Sequence, residues 1–390
     1  MKYKFYLNEE SINDRLRITY LFDISKEEFP IVEMLPSILI DGSMNYQNSR
    51  IVKKKLFENY DTQFYIQALN IGNKGSLSFI IECINKELLP NKEDVLQNIL
   101  DMIIDLINNN NLLCEDFDLE KLSKLKRKLR KSYINSEYSL SNVIDEINAD
   151  DEEYINNVNQ INLESIKNLY KRVVTNSKIF VQYASREENK KVKVKIQKYL
   201  KYGRITNKKL TFPVFKFEDL YYRKISKKET PSLCYMIQDD QNKISSKRML
   251  CLDILSSILD KYMFEKIRTE RSLSYNPNAF LSFHKNAIVL SANIQEENKD
   301  LVIEIIDNIL EEVLNGNINN EYFYEAKKSV YQRYDKSKMN CEQLLGLDIE
   351  NYILSLKEID FKMIDEIQLE DIIKIAKNFK TKLIYFLGGK

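Results

Sequence analysis

The chain has 390 residues, of which 44% are hydrophobic and 30% charged, with a formal net charge of +1. That composition is ordinary for globular protein, and the length implies two or three domains, each able to bury a full core. Near-neutrality removes any global electrostatic case for nucleic acid or an anionic membrane surface, and no run approaches the roughly 18 apolar residues of a membrane span.

In chain order, the opening MKYKFYLNEE carries charge at positions 2 and 4 and lacks an apolar core of signal-peptide length. The expected location is therefore cytoplasmic. Residues 34–40, MLPSILI, read as an apolar helix whose plain role is packing. Residues 76–109 read as a strand, a turn around Pro90, and a helix with apolar residues at 95, 96, 99, 100, 103, 104 and 107. In 119–133, Leu119, Leu122, Leu125 and Leu129 share one face amid seven basic residues, which predicts a core-facing helix with a basic solvent side. Residues 160–185 start a short amphipathic helix near Leu163 and end in an apolar strand.

Residues 186–222 are lysine-rich, then pass through Gly203 and Pro213, which reads as a helical arm followed by a linker. FLSF and AIVLSANI read as two strands of a hairpin, with HKN at its polar tip. Residues 286–316 repeat the strand, turn and helix of 76–109, with the apolar stripe at 301, 302, 305, 306, 309, 310 and 313. Residues 366–389 repeat 160–185, with Leu369 in the place of Leu163. Two matching pairs in the same order imply duplication. The expected fold class is α+β: two duplicated halves, each an antiparallel sheet with helices packed on one face, in a clam-shell arrangement. Cysteines 83, 114, 234, 251 and 341 are odd in number and widely spaced, so buried reduced thiols are expected.

Histidine is the scarcest informative residue. His284 is the single one, so residues 1–283 contain none. It falls at the hairpin tip, where a solvated turn residue is the plain reading, and Ser-His-Asp chemistry has no other histidine to use.

The sharpest motif is LDILSSILDKYMFEKIRTERSLSY, residues 252–275. Its Phe264, Arg268, Ser272, Leu273 and Tyr275 stand in a spacing that resembles the second domain of the insulinase, pitrilysin and mitochondrial-processing-peptidase family, the inverzincins. The resemblance covers nearly the whole chain and implies that Arg268 and Tyr275 contact the substrate backbone and help polarise the scissile carbonyl. Arginine offers rigid, permanently charged donors, and a tyrosine hydroxyl can donate to a developing oxyanion. The family usually has glycine where Ser272 stands, so an altered turn is expected there. The plainer reading of the same residues is a helix C-terminus that favours the cations Arg268 and Arg271, with Tyr275 in the core.

In that family the first half carries H-x-x-E-H, followed by glycine and a small hydroxyl residue. Here Gly42 and Ser43 match the latter pair, and counting back puts Glu33, Pro36 and Ser37 at the histidine, glutamate and histidine positions. Neither nitrogen ligand nor the base is present, so no bound metal and no cofactor are expected. The pattern from Leu35 to Tyr60 resembles the zinc-less YmfF-like subgroup, whose members are typically encoded beside a zinc-bearing relative, some in pathways that make modified peptides.

The resemblance implies a degenerate peptidase-like domain over 1–200, a linker over 201–222, and a second peptidase-like domain over 223–390 with the Arg/Tyr motif. The function it implies is that of a non-catalytic subunit, inactive alone, which binds a peptide or leader peptide beside a zinc-bearing homologous subunit. The alternative is a non-proteolytic binding or scaffold protein of the same fold. Neither reading calls for nucleic acid or a membrane.

Overall fold

The computed structural model describes residues 1–114, 117–135, 151–200, 209–212, 221–225, 231–239, 244–283 and 285–388. They cluster into two compact units. The first is built chiefly from Met1–Lys131 and Ala149–Leu210, with Cys341–Leu345 added, and the second chiefly from Thr211–Asn340 and Gly346–Lys390.

The first unit centres on a five-stranded sheet of β1 (Lys2–Leu7), β2 (Asn13–Asp23), β3 (Gln63–Ile71), β4 (Lys74–Ile84) and β5 (Lys178–Ser185), in the order β1-β5-β2-β4-β3. Alternation along the strands selects the buried face. Leu16, Ile18, Tyr20 and Phe22 of β2 enter the core with Leu77, Phe79 and Ile81 of β4. The opposite face is polar: Thr19 and Ser78 share a buried hydroxyl hydrogen bond of 2.8 Å, and Arg15 pairs with Glu82 at 3.0 Å.

Helices α1 (Phe29–Leu39), α2 (Ser49–Glu58), α3 (Val95–Asn108), α4 (Leu119–Asn135), α5 (Asp151–Gln160), α6 (Leu163–Asn176) and α7 (Lys190–Tyr199) complete this part of the chain. All seven predicted stripe positions of α3 are buried, and each Leu or Ile so placed contributes about 1.5–3 kcal/mol. On α4, Leu122 is buried and Leu125 and Leu129 pack against the core, but Leu119 is exposed at the first turn.

The lysine-rich helix α7 is not a free arm. Val192 and Ile196 are fully buried in the first core, and Lys195 reaches Asp101 of α3 at 2.8 Å. Its lysines point outward while a two-residue apolar stripe docks it, a pattern that sequence alone leaves ambiguous.

The second unit repeats the plan. Strands β6 (Tyr221–Ile225), β7 (Ser232–Asp239), β8 (Asn278–Ser282), β9 (Ala287–Asn293) and β10 (Phe379–Gly388) pair in the order β6-β10-β7-β9-β8, the first sheet's order strand for strand. Helices α8 (Ser246–Met263), α9 (Lys299–Leu314), α10 (Asn320–Arg333), α11 (Cys341–Ile353), α12 (Phe361–Asp365) and α13 (Leu369–Ala376) follow. Helix α8 is buried almost all round and lies at the centre of the second core. The predicted stripe of α9 is buried except for Leu301, which is 39% exposed.

The duplication extends to local devices. Leu163 and Leu369 both open a helix, and Asn162 and Gln368 both cap one through a capping box. Both β4 and β9 are followed by a short 3₁₀ turn and then the striped helix. One feature departs from an all-antiparallel plan: β1 pairs parallel to β5, and β6 parallel to β10, so each sheet has one parallel edge strand. The second sheet also buries Cys234, Met236, Val289, Leu383 and Leu387 on its face away from the main core.

Three of the cysteines, Cys83, Cys234 and Cys251, are buried, and burial pushes the thiols of Cys234 and Cys251 up to about 12. Among the described residues no helix is long and apolar enough to cross a membrane.

Candidate functional site

In the second unit, α8 runs on from Met263 into a π-helical turn, Phe264–Thr269, closed by Glu270 N–H donating to Glu265 O at 2.9 Å. One extra residue per turn re-aims the side chains that follow, and such turns often occur at functional sites. Met263 and Ile267 point inward and are fully buried, which leaves Phe264 and Arg268 facing out.

The turn ends in a left-handed αL cap. Leu273 N–H donates to Ile267 O and Ser272 N–H to Arg268 O, both at 2.9 Å, with Ser272 at φ +52°. Left-handed backbone is what glycine supplies at this position. The serine adopts this left-handed backbone itself, at a cost in strain.

Beyond that turn, Ser274 bridges to Ile294, and Tyr275 stands 77% exposed. The Arg268 guanidinium lies 4.9 Å from the Phe264 ring centroid and 4.7 Å from that of Tyr275. Arg268 and Tyr275, singled out by spacing, are thus brought together. Phe264 is 45% exposed and joins them. Its four-residue separation from Arg268 was the signal for a shared face. Cation–π attraction to both rings holds the guanidinium in place. Among the described residues Arg268 has no carboxylate partner. Arg271 is exposed and has no part in the stack. His284 lies outside the described residues.

In the first unit, Glu33, Pro36 and Ser37 lie on one face of α1, away from its buried Val32, Leu35 and Leu39. Glu33 accepts hydrogen bonds from Tyr154 Oη of α5 at 2.5 Å and from Asn70 Nδ2 of β3 at 3.4 Å. One carboxylate, a proline and a hydroxyl do not fit zinc, which needs nitrogen or thiolate donors in number. Among the described residues no group of three His, Cys, Asp or Glu is placed to hold a metal ion.

Gly42 and Ser43 have a structural role. Gly42 sits at φ +146°, where a Cβ would run into Tyr46 O. Ser43 Oγ donates to Asp105 of α3 at 2.5 Å, and Asn45 and Asn109 donate to the same carboxylate. Burial alone would raise the Asp105 pKa, but the bonds from Ser43, Asn109 and Asn45 outweigh it and hold the carboxyl below its usual range.

Residues 160–330 match the family model described as the peptidase M16 inactive domain. No curated protein matches the chain. Among solved structures, a conserved protein from Enterococcus faecalis aligns at TM-score 0.78 and 17% identity, over 100% of this chain and 96% of that one. A peptidase M16 inactive domain from Pseudomonas fluorescens aligns at 0.74 and 11%, over 99% and 95%. The periplasmic protease PqqL from Escherichia coli aligns at 0.68 and 13%, over 99% of this chain but 44% of that one. Residues 160–330 thus match the peptidase M16 inactive-domain model, and the whole chain has the fold of these solved structures, with a single histidine where an H-x-x-E-H site would need two.

Proposed function

We propose that this chain is the non-catalytic subunit of a two-chain zinc peptidase, in which it binds peptide and lends Arg268 and Tyr275 to the active site of a zinc-bearing homologue. The observation that supports it is the stacked, outward-facing Phe264–Arg268–Tyr275 group on a π-helical turn. A guanidinium without a carboxylate partner has N–H donors to spare for peptide carbonyls, and the neighbouring phenol can donate to the oxygen on which charge develops. A scaffold has no use for a half-buried arginine held in this way.

Residues 1–200 would serve as the degenerate half, 223–390 as the half that meets substrate, and 201–222 as their connection, with the complex working in the cytoplasm. That the fold occupies under half of the PqqL chain is consistent with one chain acting beside another. Chemistry at zinc belongs to the partner, because Glu33, Pro36 and Ser37 cannot hold the ion.

The test is to mix the purified chain with an H-x-x-E-H homologue encoded beside it, and to follow assembly by light scattering and cleavage by chromatography of a peptide set. Activity confined to a one-to-one complex supports the proposal. Two monomers that never associate, with no gain of cleavage on mixing, would reject it.

A further inference from the structure

Next to the π-helical turn, the second unit has a cleft of about 450 Å³ lined by Tyr262, Glu265, Lys266, Glu312, Ile318 and Tyr322, with Asn317 and Asn319 beside them. Its walls come from three places: the end of α8 with the π turn, the end of α9, and the segment that caps α10. The aromatic wall is built, not incidental. The rings of Tyr262 and Tyr322 meet edge to face with centroids 4.8 Å apart, and Tyr262, only 4% exposed, is fixed by Asn319 N–H donating to its hydroxyl at 3.1 Å. Ile318, 9% exposed, adds an apolar surface.

The charges around the cleft do not cancel. Lys266 also lines the cleft and attracts Glu265 and Glu312 at longer range, but its direct partner is Glu270, with Nζ 2.8 Å from Oε1. Lys261, near the Tyr322 ring, is paired with Glu325. That leaves Glu265 and Glu312 as carboxylates without an ion-pair partner among the described residues, both lining a cavity walled by two phenol rings. Two acceptors above an aromatic and aliphatic surface suit a long side chain with an apolar stem and a cationic head. An anionic ligand would meet two like charges.

We infer that this cleft is a subsite for a lysine or arginine side chain of the bound peptide. The inference rests on the proposed function, because Glu265 and Lys266 belong to the same π turn as Arg268, the residue proposed to hold the peptide. The hydroxyl of Tyr262, an acceptor from Asn319, keeps its proton for a ligand acceptor such as a backbone carbonyl.

The test uses the full-length chain with ¹³C-labelled isoleucine methyl groups, the Ile318 signal being assigned with Ile318→Val. The probes are Nα-acetyl-arginine amide and its neutral isostere Nα-acetyl-citrulline amide, titrated into the millimolar range. The arginine probe should shift the Ile318 methyl saturably, and the citrulline probe should bind at least about tenfold more weakly, equivalent to about 1.4 kcal/mol. Glu265→Gln combined with Glu312→Gln should abolish that preference. An Ile318 signal unmoved by the arginine probe, or moved equally by both, would overturn the inference. Because single amino-acid amides do not need Arg268, the shift should persist in Arg268→Ala; a cleft that works while the partner assay fails would separate this inference from the reading it rests on.

Discussion

Replacing Ser272 by glycine should stabilise the second unit, because the side chain is held against its own backbone preference. Ser272 occupies the left-handed position of the helix C-cap at φ +52°. That conformation costs a residue with a Cβ about 1–2 kcal/mol relative to glycine. Glycine gives back about 0.4–1 kcal/mol through the greater freedom of its unfolded chain. The net gain is about 0.5–1 kcal/mol, or roughly 2 °C in the Tm of a unit this size. Among the described residues no hydrogen bond from the serine side chain opposes the gain; its backbone N–H to Arg268 O is kept by glycine. Valine should lose stability, since branching at Cβ is most strained in this region. Proline should cost about 3 kcal/mol or more, because it fixes φ at the wrong sign and removes the donor to Arg268 O. Denaturant or thermal unfolding of the three variants checks the order glycine, wild type, valine, proline. A glycine variant less stable than wild type, or a valine variant equal to it, would refute the assignment of strain to this residue.

Asp105→Ala should destabilise the first unit by about 3 kcal/mol, because the donors from Ser43, Asn45 and Asn109 lose a shared buried acceptor; urea unfolding measures it. The pH dependence has a definite sign. A carboxyl held below its unfolded value of about 3.9 gives stability that is complete above that value and lost as pH falls through the folded pKa. The wild-type advantage over Asp105→Asn should therefore shrink below about pH 4, seen as converging urea midpoints. Gly42→Ala should cost about 2 kcal/mol or more, since φ +146° and the closeness of Tyr46 O both exclude a Cβ. Tyr170→Phe should cost about 1–2 kcal/mol, as Ile107 O loses a fully buried donor at 2.7 Å.

The parts of the fold legible in the sequence are those with a local period. The stripes of α3 and α9 and the paired helix-to-strand segments at Leu163 and Leu369 carry their signal within about twenty residues. The parallel pairing of β1 with β5 does not, because residues 2–7 and 180–185 meet with no sequence feature joining them. Leu301 and Leu119 show the limit of a stripe: a position can keep the period and still fall at a helix's first turn, where the core ends. The lysines of α7 concealed a docked helix, because two apolar residues suffice to anchor ten. At the candidate site, the resemblance pointed to Arg268 and Tyr275, which the fold brings together, but not to the π turn. A one-residue change of helical register is set by how Met263 and Ile267 pack, and packing has no short-range code. Ser272, where the resembled family usually has glycine, takes the left-handed backbone all the same.

The measurement that tests the central claim most directly is peptide turnover by the assembled pair with Arg268→Ala, Tyr275→Phe and Arg271→Ala in this chain. Loss of one oxyanion-directed donor typically lowers the rate about 100- to 1,000-fold. The account predicts losses of that order for Arg268→Ala and Tyr275→Phe, not additive in the double variant because both act on the same few substrate atoms, with assembly intact and Arg271→Ala near wild type. Wild-type turnover by both variants, while the partner's histidines remain essential, would show that this chain holds the complex together and takes no part in handling the peptide.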